Sequence, residues 1–176
     1  MSEAVMRFAY ADPPYLGCAR KHYGKCHADA GVYDTLECHA ALVERLATEF
    51  PDGWALSLSS PSLRAILPLC PADVRVGAWV KPFAVFKRGV NPAYAWEPVI
   101  FGGGRKLKSG RGVPTIRDWV SANITLRRGC PGAKPEQFCN WLFAVLGMQK
   151  GDVLDDLFPG SGAVTEAWAR FQERLL

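Results

Sequence analysis

The sequence has no run approaching the roughly 18 consecutive apolar residues that a membrane-crossing helix needs. Its first residues, Met1 to Ala11, lack the basic-then-apolar order of an export signal. Together these absences predict a soluble, cytoplasmic chain with no membrane partner. Internal repeats, low-complexity tracts and domain linkers are also missing, so residues 1–176 are expected to form one domain. Excess charge is small: 21 Lys and Arg against 17 Asp and Glu leave +4, too little to announce a polyanion binder without clustering. No Cys-x-x-Cys pair occurs, so the set Cys18, His22, Cys26, His27, Cys38 and His39 lacks the paired spacing of a zinc site, and no metal is expected. The six cysteines, Cys18, Cys26, Cys38, Cys70, Cys130 and Cys139, are expected to stay reduced, because nothing marks the chain for export and it is long enough to bury its own core. The Gly-Lys-Ser/Thr ending of a phosphate-binding loop is absent as well, which argues against ATP.

What is present alternates short apolar runs with helical stretches, the pattern of an α/β domain with a mainly parallel sheet. Strands are predicted at Met6–Ala11, Trp54–Leu58, Val74–Val80, Glu97–Phe101 and Asp152–Leu157, and helices at Leu36–Phe50, Pro135–Leu146 and Ala163–Leu175. A short helix from Ser60, with Pro61 at its first position, runs to about Leu69. Asp12-Pro13-Pro14 stops the first strand, since prolines donate no ladder hydrogen bond. Residues 102–114, rich in Gly, Lys and Arg, read as a surface arm, with Arg105, Lys106, Lys108 and Arg111 placed to meet phosphates. Arg127 and Arg128 form a second small basic group.

Two constellations carry chemistry. Asp12-Pro13-Pro14-Tyr15 sits at the carboxyl end of a strand, where open α/β sheets place their ligands. An exocyclic base amine is a poor nucleophile because its lone pair is delocalised into the ring. Asp12 and the Pro13 carbonyl offer two acceptors for its hydrogens, the prolines fix that geometry in advance, and Tyr15 offers a ring for a flipped-out base. The second constellation is Asp155-Asp156-Leu157-Phe158-Pro159-Gly160-Ser161-Gly162, a strand entering a glycine turn and then a helix, whose free amides suit a carboxylate or hydroxyl.

The pair, in this order, resembles the S-adenosylmethionine-dependent amino-methyltransferases of nucleic acids, whose hallmarks are an Asp-Pro-Pro-Tyr tetrad and a Phe-x-Gly-x-Gly turn. Trp79-Val80-Lys81-Pro82, Trp96-Glu97-Pro98 and Lys134-Pro135 add to the likeness, which runs from Phe8 to Trp168. It is similar to the permuted beta class, to the messenger-RNA adenosine methyltransferases and to small phage-type DNA adenine methyltransferases. The resemblance implies a permuted Rossmann-like sheet of about five strands with helices on both faces. It further implies that Asp12, Pro13, Pro14 and Tyr15 hold the target amine, while Asp156, Phe158, Pro159, Gly160, Ser161 and Gly162, with Lys134, Pro135 and Glu97, surround S-adenosylmethionine.

On the same footing, Lys81 contacts the base. A flap over residues 16–35 brings His22 and Tyr23, with Arg20, Lys21, Lys25 and Tyr33, toward the nucleic acid. The implied reaction is N6 methylation of adenine in double-stranded DNA, and Asp at position 12 leans toward adenine. Cytosine N4, RNA, a protein amide, or a catalytically silent nucleic-acid-binding subunit are the alternatives, and homodimerisation is left open. Beta-class enzymes continue into a further strand that holds the ribose, whereas this sequence ends at Leu176. All of these readings need Asp12 and Gly160 to share one cleft.

Overall fold

The computed structural model describes residues 4–17, 32–83, 88–125 and 133–174. Its centre is a six-stranded sheet in the order β5-β3-β4-β2-β1-β6. The strands are β1 (Arg7–Ala11), β2 (Gly53–Ser57), β3 (Arg75–Val80), β4 (Trp96–Gly103), β5 (Trp119–Ser121) and β6 (Val153–Asp156). β1 pairs in parallel with β2 and β6, and β3 with β5, while β4 pairs antiparallel with both β2 and β3. Five strands therefore point one way and β4 alone runs against them, so the expected mainly parallel sheet is found with one strand more than expected.

Alternation along β1 builds both layers. Phe8 and Tyr10 face one core with α3 (Glu136–Leu146) and α4 (Ala163–Arg174). Ala9 and Ala11 face the other with α1 (Leu36–Glu49). Their small side chains let Leu42, Val43 and Leu46 of α1 sit close against the sheet. Thr35 caps α1 by accepting a hydrogen bond from the Cys38 N–H. The segment expected to be one short helix is divided: Pro61 and Pro68 each open a 3₁₀ turn, Ser60–Ser62 and Leu67–Leu69, on either side of the single α turn α2 (Leu63–Ile66). A proline inside a continuous helix would clash with the preceding turn, so the chain tightens at both.

Almost the whole of α3 is apolar, and Phe138, Cys139, Leu142, Phe143 and Leu146 are buried. Phe138 lies at the centre of an aromatic cluster with Tyr10, Trp79 and Trp141, at centroid separations of 6.1, 5.2 and 5.8 Å. Truncating such a ring to Ala costs about 3–5 kcal/mol. The helix ends at Gly147 in the left-handed conformation, its N–H bonded to the Ala144 carbonyl. Two helices on one face and α1 with α2 on the other give the expected layering.

Candidate active site

The two constellations meet at the carboxyl edge of the parallel strands. β1 and β6 are neighbours in register, with Tyr10 opposite Asp156, and the Leu157 N–H donates to the Tyr10 carbonyl at 2.9 Å. Two residues beyond Tyr10 the chain reaches Asp12, and two residues beyond Asp156 it reaches Phe158, so the tetrad and the glycine turn leave the sheet side by side. Lys81 follows β3 and Glu97 is the second residue of β4, whose reversed direction puts its start at this same edge. Lys134 arrives from the loop before α3.

These side chains form one network. Lys134 is almost fully buried, and its Nζ lies 2.6 Å from Asp12 Oδ2 and 4.0 Å from Glu97 Oε2. Lys81 Nζ bonds the other Glu97 oxygen. The Tyr15 hydroxyl reaches Glu97 Oε2 at 2.9 Å and Asp12 Oδ1 at 3.3 Å; with one proton to give, it favours the shorter contact. Beneath them lies the buried Trp79 ring, with the Lys81 and Lys134 ammonium groups 4.5 and 5.5 Å from its centroid. Two cations and two carboxylates balance, which offsets the desolvation of all four. Burial pushes the Glu97 carboxyl up, but Lys134 and Lys81 outweigh it and hold the group below its usual range. Burial, helped by the Asp12 and Glu97 charges, keeps the Tyr15 phenol well above its ordinary value, so it serves as a donor. Tyr10, also raised by burial, shares a 2.8 Å hydrogen bond with Ser57 Oγ below the site.

On the β6 side, Asp156 Oδ2 accepts from Thr165 Oγ1 at 3.0 Å, while Oδ1 is buried with no hydrogen-bond partner. Burial raises the Asp156 carboxyl, against the opposing hydrogen bonds from the Thr165 hydroxyl and from the Phe158 and Thr165 backbone. A buried acceptor left open in this way suits a ligand donor. Gly160 and Gly162 take φ of +49° and +74°, a left-handed region that side chains rarely adopt, and Gly162 then accepts the first helical bond of α4 from the Glu166 N–H. Ser161 and Gly162 are half-buried, whereas Pro159 and Gly160 are exposed. A small cavity of about 100 Å³ lies next to Lys134, walled by Pro135, Glu136, Ala163 and Glu166. Ligand pockets commonly hold about 300–1,000 Å³.

The basic arm is not brought to this edge. β4 ends at Gly103 opposite Gly53, the first residue of β2, so the arm departs from the far edge of the sheet. Arg105, expected among the phosphate contacts, is engaged within the protein: its guanidinium clamps both oxygens of the buried Asp152 at 2.8 and 2.9 Å and bonds the Gly147 carbonyl. Asp152 also accepts from the Met6 and Gln149 N–H groups. Arg105 thus ties the arm to the body, while Lys106, Lys108 and Arg111 are exposed. Tyr33 is likewise engaged, its ring edge-on to Phe158 and to His39 at 5.3 and 5.9 Å. His39 is buried and bonds the Tyr33 carbonyl, and among the described residues no three His, Cys, Asp or Glu side chains are grouped to hold a metal. Cys38, Cys70 and Cys139 are free thiols. Cys18, Arg20, Lys21, His22, Tyr23, Lys25, Cys26, His27, Arg127, Arg128 and Cys130 lie outside the described residues.

Sequence reasoning passed over Thr165, the partner of Asp156, although its place three residues after Gly162 on the first turn of a helix is a readable signal. It also missed the pairing of Lys134 with Asp12, which are 122 positions apart and carry no local signal.

No family model matches the chain, and no curated protein sequence does. Solved structures are similar to it. M1.HpyAVI, solved in complex with SAM, gives a TM-score of 0.63 at 15% identity, over 96% of this chain and 80% of its own. TTHA0409 of Thermus thermophilus, a candidate DNA modification methylase solved with S-adenosyl-L-methionine, gives 0.57 at 17% identity over 98% of this chain and 79% of its own. At such identities the likeness concerns the fold, and the chain has the Rossmann-like α/β fold of these structures.

Proposed function

We propose that this protein is an S-adenosylmethionine-dependent methyltransferase acting on the exocyclic N6 amine of adenine in double-stranded DNA. One observation carries the reading: a proline-fixed carboxylate, Asp12, and a left-handed glycine turn leave adjacent parallel strands at the same edge, with the buried Lys134 between them. The structures with the same fold, one solved with SAM and one with S-adenosyl-L-methionine, support it.

The residues suit the donor molecule. Its amino-acid end bears an ammonium and a carboxylate, and the site offers the unpartnered Asp156 Oδ1 to the first and the Lys134 ammonium to the second. When bound, S-adenosylmethionine supplies an electrophilic methyl group on a sulfonium. The chain's part is then to present the nucleophile. Asp12 accepts a hydrogen bond from one amino hydrogen and the Pro13 carbonyl from the other, drawing the nitrogen toward tetrahedral geometry so that its lone pair leaves the ring system. With the donor bound, the amine nitrogen would take the methyl group, the sulfonium would leave as a neutral thioether, and Asp12 would draw the surplus proton from nitrogen toward solvent. Asp12 Oδ2 stays on the Lys134 ammonium, and Oδ1, from which the Tyr15 hydroxyl is drawn toward Glu97, is the oxygen that faces the amine. Tyr15, with its hydroxyl tethered to Glu97, sets its ring beside the acceptors for a base to stack on.

The test is nucleoside analysis of duplex DNA and of RNA incubated with the purified protein and S-adenosylmethionine. N6-methyladenine in DNA is the expected product. N4-methylcytosine, or methylation of RNA alone, would move the target while keeping the chemistry. No methylated nucleoside, together with a cofactor dissociation constant above about 1 mM, would overturn the assignment.

A further inference from the structure

The ends of β3 and β4 have two faces, and the active site uses only one. Lys81 and Glu97 belong to the catalytic edge; the residues just before them, Val80 and Trp96, are directly opposed across the two strands and turn to the other face. That face also carries Trp119, which pairs with Ala78 on the outer strand β5. Trp96, Trp119 and Val80 are 40, 42 and 36% exposed, whereas Trp54, Trp79, Trp141 and Trp168 are all buried. Large apolar side chains grouped in solvent mark an interaction surface. The Arg117 guanidinium sits 5.1 Å from the Trp119 ring centroid. Arg117 and Asp118, which lead into β5, are both exposed. Two exposed indoles, one of them against a guanidinium, on strands that run into the edge holding the tetrad, match the chemistry of unpaired nucleobases on an anionic backbone: the rings stack on base faces and Arg117 meets a phosphate.

We infer that Trp96 and Trp119 form a stacking surface for unstacked bases flanking the target nucleotide. The inference rests on the proposed methyltransferase reading for the identity of the partner. A base-paired duplex presents edges and phosphates, so the surface is used where strands are single or locally opened.

The experiment is an anisotropy titration with a short single-stranded oligonucleotide and with an abasic strand of equal length. Trp96→Leu and Trp119→Leu are each expected to weaken binding of the base-bearing strand about tenfold, with an unchanged salt slope, while Trp→Phe at either position restores most of it. Neither change should affect the abasic strand. The proposal is overturned if the double Leu variant binds the oligonucleotide like the parent, or if the loss is equal on the abasic strand. It is also overturned if the variants keep their oligonucleotide affinity but lose self-association in sedimentation, which would make the face a contact between copies. A parent that binds in this ring-dependent way yet forms no methylated nucleoside would defeat the catalytic assignment and leave the surface standing.

Discussion

Replacing Lys134 with Met removes the cation on which the charge balance of the site turns, while keeping an unbranched apolar side chain above Trp79 and Phe138. Lys134 lies 2.6 Å from one carboxylate and 4.0 Å from another. At an effective dielectric of about 20, unit charges 4 Å apart interact by about 4 kcal/mol, and deleting one partner of a buried pair typically costs about 3–5 kcal/mol because the other charge stays behind. Two features reduce that figure. Glu97 keeps Lys81 and the Tyr15 hydroxyl, and the Asp12 side chain retains 23% exposure. We expect a loss of about 2–3 kcal/mol at pH 7.5, read from urea denaturation.

The pH dependence is the sharper test. In the parent Glu97 is held below its usual range, so its contribution is fully present above the unfolded-state value and is lost as pH falls through the folded one. Without Lys134 the upward push of burial meets less opposition. The folded-state value rises, although Lys81 and the Tyr15 hydroxyl still favour the charged form, so acidification costs the variant less than the parent. The stability gap between parent and variant should therefore narrow on going from pH 7.5 into the ordinary carboxyl range. A gap below about 0.5 kcal/mol at pH 7.5, within the scatter of ordinary surface substitutions, or one that widens on acidification, refutes the reasoning.

Three further outcomes follow from the geometry. Asp12→Asn replaces one acceptor with an amide donor at nearly constant shape; methyl transfer should fall by about 10²–10³-fold while calorimetry shows cofactor affinity little changed, and retained turnover would remove Asp12 from its role. Arg105→Ala should cost about 3 kcal/mol in urea denaturation because Asp152 is left buried, whereas joint replacement of Lys106, Lys108 and Arg111 by Ala should leave stability within about 0.5 kcal/mol. That triple variant should also flatten the salt dependence of DNA binding by roughly 0.9 for each phosphate no longer neutralised, and an unchanged slope would exclude the arm from the interface.

Much of the fold is written locally. The prolines after Asp12 end β1, Gly147 ends α3, and the apolar period of residues 136–146 specifies a buried helix. What stayed hidden depends on partners distant in sequence. β5 has only three residues and is held by bonds such as Ala122 N–H to the Val80 carbonyl and Trp79 Nε1 to the Ala122 carbonyl, so no alternation announces it. The direction of β4 is equally silent, because an apolar strand reads alike either way, and with it the edge from which the arm departs. The tetrad and turn were legible as motifs, but the arrangement of Lys81, Glu97, Tyr15 and Lys134 into one balanced cluster is a product of topology.

The single reversed strand divides the surrounding loops by what they can influence. The connection that feeds β4 leaves at Lys81 and returns at Ala95, both at the edge of the chemistry, and the one that drains it, residues 104–118, opens at the opposite pole. Lengthening or grafting the former changes what a target meets on arrival; rebuilding the latter alters how the body is gripped from behind. A designer seeking new sequence preference would start with the entrance, and one seeking tighter anchoring with the exit.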